Sequence, residues 1–160
     1  MNGSAKLLIY GGICLAVLGM LYGLHYAVFV EHQTLDRMGG SLTAAFVHAA
    51  ERNSAASAMA LAAYGHTKHD YVRQVDVHSH WVGLAMIMVV LGVVFGRVQF
   101  PEAVRFWLAA ALLAGSFLFP LGVVLQTVDH GRLPFALAIA GAGLVIASMT
   151  GIAWGLAKAR

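Results

Sequence analysis

Four apolar runs of about twenty residues or more govern what this chain can fold into: Leu7–Val30, Val77–Val98, Val104–Val128 and Leu133–Leu156. Crossing the hydrocarbon core of a bilayer takes roughly 20 apolar residues in a helix. Lipid offers backbone groups no hydrogen bonds, so such runs close their own as helices. Each run ends at charge or at a helix breaker: Glu31-His32, Asp76, Arg97, Pro101-Glu102, Asp129-His130-Gly131-Arg132 and Lys158. The expected fold is all-α, an integral membrane four-helix bundle formed as a single domain over residues 1–160. Only 11% of the residues are charged and 60% are hydrophobic, against roughly 25% charged in a soluble domain. That excludes an ordinary soluble enzyme and a disordered chain. The pI near 9.3 does not signal a nucleic-acid partner, because the net charge is +3 and no run of five like charges exists. The partner implied is the lipid bilayer.

The first run is longer than the apolar stretch of a signal peptide, about 7–15 residues, and reads as a retained helix. Basic residues close to the ends of the spans predict orientation. Lys6, Arg97, Arg105, Lys158 and Arg160 gather on one side with a single acid, Glu102. Both termini are therefore expected in the cytoplasm, with the chain in the inner (cytoplasmic) membrane. Residues 31–76 form the long outer loop. Within it residues 41–64 are Ala-rich, free of Pro, and bounded by Gly39-Gly40 and Gly65. An extra interfacial helix is expected there, lying in the headgroup region.

Gly143, Ala147, Gly151 and Gly155 recur every four residues in the fourth run. They suggest a ridge where helix backbones approach closely, inside the bundle or against a second copy. Pro120 should kink the third run. The one cysteine, Cys14, cannot pair within the chain and reads as a small core residue.

The chain has eight histidines. Under this topology all of them fall on the outer side or within about two turns of it. His25 and His32 flank the end of the first run, His48, His66 and His69 lie in the loop, His78 and His80 open the second run, and His130 sits between the third and fourth. Imidazole is a ligand for zinc, copper and haem iron. The candidate metal ligands are His25, His32, His78, His80 and His130, with His25, His78 and His80 as candidate cofactor ligands. His78 and His80 are two apart, about 200° around a helix, and point to opposite sides. Glu31, Asp70, Asp76 and Asp129 stand at the same level and could orient imidazoles or simply be solvated. His48, His66 and His69 read as surface residues. Tyr22, Tyr26, Tyr64, Tyr71 and Trp81 read as an interfacial aromatic belt.

The string Val77-His78-Ser79-His80-Trp81-Val82-Gly83-Leu84 resembles the His-x-His helix of the haem–copper oxidase and nitric-oxide reductase superfamily. The resemblance covers about 20 of 160 residues. Gly83 stands three residues after His80, where the family's pattern has five. The resemblance implies that His78 and His80 ligate haem from opposite sides of one helix.

Three functions follow from these residues. The first is an integral membrane electron-transfer subunit. It would carry a b-type haem at the outer end of the bundle, held by His25 with His80 or His78, and would exchange electrons with a quinone. The second is a copper or zinc site of a membrane metalloprotein. The third is a cofactor-free accessory subunit of a homo-oligomer or larger membrane complex. No phosphate loop, His-Glu-x-x-His, nucleophile elbow or cysteine pair is present, so enzyme chemistry is left open.

Overall fold

In a computed structural model the chain is helical almost throughout, and the structure describes residues 2–129 and 131–158. The helices are α1 (Gly3–Phe29), α2 (Glu31–Ala50), α3 (Ser54–Val94), α4 (Glu102–Leu125) and α5 (Arg132–Ala157), with a short 3-10 turn at Phe95–Arg97 after α3. Four helical segments are long and apolar enough to cross a membrane: α1, α3 with its following turn, α4 and α5. The expected spans lie within these helices to a few residues, which follows from their dense apolar content and polar ends.

The long loop departs most from expectation. Residues 41–64 are not one interfacial helix. The segment is helical from Glu31, breaks at Glu51–Asn53, and then runs unbroken from Ser54 into the second apolar run. Gly39, Gly40 and Gly65 lie inside helices with nothing within 4 Å of a β-carbon built on them. At solvent-facing helix positions glycine costs only about 1 kcal/mol, too little to end a helix.

The break itself has a clear local cause. Asn53 N–H donates to the His48 carbonyl at 2.9 Å and Arg52 N–H to the Ala49 carbonyl at 3.0 Å. Arg52 adopts φ 58°. This is a Schellman ending, with an arginine where glycine is preferred. Asn53 then caps the next helix, its Oδ1 accepting from Ala56 N–H at 3.1 Å.

The chain divides into two compact units. The first comprises Met1–Leu21 and Asp76–Arg160, the second Tyr22–Val75. In the first unit α4 and α5 pack directly on each other. The buried residues of α5 are Pro134, Ala138, Gly141, Val145, Ser148, Ile152 and Gly155. They alternate steps of four and three, the spacing that keeps one face of a helix toward a partner. A β-carbon on Gly115 would lie 2.7 Å from the Gly141 carbonyl oxygen. Gly122 and Gly141 likewise meet the backbones at Ala138 and Phe119. This close van der Waals fit of small residues carries the packing of α4 on α5.

The ridge expected at Gly143, Ala147, Gly151 and Gly155 is therefore not a single seam. Steps of four drift about 40° each around a helix. Gly143 ends in open space, while Gly151 meets Leu108 and Gly155 meets Val98 and Phe100.

Also in the first unit, α1 lies along α3. Gly12 meets Ala85 and Val89, Gly19 meets Trp81 and Val82, and Gly92 meets Ile9. The first turn of α1 is closed from α4: Ser4 N–H and Oγ donate to Glu102 Oε1 at 3.0 and 2.9 Å. Arg105 holds the other carboxylate oxygen at 2.7 Å. Cys14, expected in the core, is exposed. It lines an apolar groove of about 540 Å³ with Leu7, Gly11, Leu18, Phe106 and Phe117.

In the second unit the end of α1 and all of α2 run beside the first half of α3. Ser57 Oγ donates to the Ala45 carbonyl at 3.0 Å, and Tyr71 OH donates to Glu31 at 3.3 Å. Tyr22 OH bonds Gln74, and the Tyr26 and Tyr71 rings lie 6.4 Å apart.

Candidate functional site

The sequence singled out the start of the second apolar run, and the structure gives it a defined geometry. His78 and His80 lie on α3 within the first unit. They leave the helix toward different neighbours, as their spacing requires. His78 is half-buried, and its Nδ1 lies 2.8 Å from the Gly19 carbonyl oxygen of α1. A carbonyl only accepts, so Nδ1 is the donor in this bond. Metal-ligating histidines are commonly oriented by such a bond. Gly19 makes the approach feasible, because a β-carbon there would lie 3.0 Å from Trp81 Cβ.

His80 is exposed and lies against Phe119 of α4, with ring centroids 4.8 Å apart. Between the two histidines in register, Trp81 is buried at 4% exposure. Its ring stacks with Phe117 at 6.4 Å, and its Nε1 donates to the Phe117 carbonyl at 3.4 Å. Trp81 is thus a packing residue joining α3 to α4. Tyr26 is likewise buried, at 7% exposure.

The other candidates have local partners of their own or are exposed. His25 belongs to the second unit, is exposed, and packs its ring 5.5 Å from Phe29. His32 is exposed and pairs with Asp36 at 3.5 Å within α2. His48 pairs with Glu51 at 3.1 Å at the helix end. His66 and His69 are exposed on α3, in keeping with the surface role expected of them. His130 lies outside the described residues. Among the described residues, no three of His, Cys, Asp and Glu are grouped to hold a metal ion.

The carboxylates at this level have local work. Glu31 accepts from Tyr71, and Asp129 Oδ1 accepts from Gly131 N–H at 2.8 Å in the α4–α5 turn. Gln126 Nε2 donates to the Gly122 carbonyl at 3.2 Å.

Sequence reasoning missed the Gly19–His78 bond, because it joins residues fifty-nine positions apart. The small residue at Gly19 was the only local signal. Comparison with known proteins adds no name: no protein-family model, curated protein or solved structure matches the chain.

Proposed function

We propose that this chain is an integral membrane subunit of an electron-transfer system in which His78 would hold a b-type haem. The observation that carries the reading is the Nδ1 contact of 2.8 Å to the Gly19 carbonyl. It fixes the ring, and Nε2 would be the ligating atom. A haem asks one or two imidazoles of the protein, whereas a zinc or copper site of the kind considered asks for three or more protein ligands. When bound, the haem supplies one-electron redox chemistry, with a quinone as the expected redox partner. The chain's own residues orient the imidazole and keep its surroundings apolar through Gly19 and Trp81, the means by which a protein tunes potential. His80 leaves α3 toward Phe119 of α4 and would not hold the same group as His78. The reading places the chain in the inner membrane, termini in the cytoplasm and the histidine-rich face outside, following the basic residues at the helix ends.

A second reading, an accessory subunit of a larger membrane complex, is favoured by the exposure of His25, His32 and His80. In it the His78–Gly19 bond is an interhelical fastening. An optical spectrum and iron analysis of the purified full chain separate the two. The haem reading expects a Soret band with stoichiometric iron, lost in His78→Ala and kept in His80→Ala. No Soret band and no iron in the wild-type protein overturns it and leaves the accessory subunit.

A further inference from the structure

Asparagine occurs twice in the chain, at Asn2 and Asn53, and the fold treats the two amides differently. Asn53, in the turn of the α2–α3 hairpin, caps a helix. Its Oδ1 accepts from Ala56 N–H at 3.1 Å, and Ser54 follows it. Asn2 stands just ahead of α1, exposed, with Gly3 after it. Its backbone carbonyl takes the first bond of the helix, from Lys6 N–H at 3.1 Å, so it holds the same cap position. An asparagine there normally turns its side-chain oxygen onto the second or third amide of the helix. Here the second, Ser4 N–H, already goes to Glu102 Oε1 at 3.0 Å.

The side chain of Asn2 is turned to Arg105 instead. Its Oδ1 accepts from Nη2 at 3.1 Å and from Nη1 at 3.2 Å. A guanidinium only donates, so the amide oxygen is the atom that faces it. Arg105 is 14% exposed and anchored by Glu102 Oε2 at 2.7 Å, which holds both donors in place. Glu102 brings the one opposing charge, and both its oxygens are engaged, Oε1 by Ser4 and Oε2 by Arg105. Two charge-assisted bonds draw electron density from Asn2 Cγ. They also stand where negative charge would gather if Cγ were attacked. The backbone nitrogen of the next residue can close a small ring on that carbon. Gly3 N–H lies in the first turn, where no carbonyl of the helix reaches it, and glycine puts no β-carbon in the way.

We infer that Asn2 is a site of self-modification, deamidating through Gly3 with Arg105 as the promoting group. Gly3 N gives its proton to solvent base and bonds to Asn2 Cγ. The Cγ–Nδ2 bond breaks, and Nδ2 takes up a proton and leaves as ammonia. Water then opens the cyclic imide. Opening at Cγ gives aspartate, and opening at the backbone carbonyl gives isoaspartate, with the chain rerouted through the side chain. Water is the only co-reactant, and nothing is oxidised or reduced. The new carboxylate stays beside Arg105 and competes with Glu102 for it, so either product alters the fastening of α1 to α4.

The test ages the full chain in nanodiscs at mildly alkaline pH and follows the tryptic peptide ending at Lys6 by mass spectrometry. In the wild type Asn2 is expected to convert to aspartate and isoaspartate while Asn53 keeps its amide. Gly3→Ala is expected to arrest the conversion. Its β-carbon would lie 3.8 Å from Glu102 Oε1, an ordinary contact, so the fold is kept. Arg105→Met is expected to slow it roughly tenfold, the worth of one charge-assisted hydrogen bond, and Arg105→Lys to restore part of the rate. A wild-type Asn2 that converts no faster than Asn53 overturns the inference. So does an Arg105→Met chain that converts as fast as the wild type or faster, because the contact would then be idle or would shield the amide.

Discussion

Single residues in this chain are constrained mainly by what they touch across helices. His78 is fixed by a backbone carbonyl, and its replacement is argued above through the haem spectrum. Arg52 is fixed by backbone conformation alone. Its φ of 58° is a left-handed geometry that costs a non-glycine residue about 1 kcal/mol. Arg52→Gly is expected to raise the stability of the hairpin by about 0.5–1 kcal/mol, read as a higher midpoint in thermal unfolding followed by circular dichroism. A lower midpoint would mean that the arginine side chain makes a contact worth more than the strain. Some of this was legible beforehand. The opposed directions of His78 and His80 follow from the 100° step of a helix. Asn53 is an ordinary helix-start residue, yet Glu51-Arg52-Asn53 reads in the sequence as a polar interruption of a stripe. Nothing within a few residues of position 52 announces a turn, because the usual glycine is missing.

At the level of elements, the four long apolar helices were readable because each apolar run is unbroken and ends at charge or at a helix breaker. Their contact faces were not, because small residues abound and only some meet a neighbour. Gly141 and Gly143 make the point two positions apart. A β-carbon at 141 runs into the α4 backbone at Phe119, and one at 143 meets nothing within 4 Å. Gly141→Ala is expected to cost roughly 1–3 kcal/mol by overpacking. Gly143→Ala is expected to leave stability unchanged or raise it by up to about 1 kcal/mol through helix propensity. Unfolding in mixed micelles reads both, and equal effects would contradict the seam. The length of α3 was equally hidden. Its 41 residues extend about 60 Å at 1.5 Å per residue, about twice the hydrocarbon thickness of a bilayer. The sequence shows only the apolar half as a span. The other half is a helix of mixed polarity that the preceding glycines disguise as a loop.

For the whole molecule, the two units should differ in how readily they open. The first holds the Gly-packed α4–α5 pair and nearly all of the buried side chains. The second has three. Amide exchange is expected to be fastest in residues 31–75 and slowest in the seam of α4 and α5. Uniform protection across both units in dilute samples would contradict this. The closing contact of the first unit also sets an order in time. Ser4 meets Glu102 across 98 positions, so the opening turn of α1 is made long before the carboxylate that completes it. At a ribosomal rate of roughly 5–20 residues per second, α1 spends about 5–20 s without that carboxylate. The first turn of α1 is thus completed only by α4, and a nascent chain halted before α4 leaves that turn unfastened.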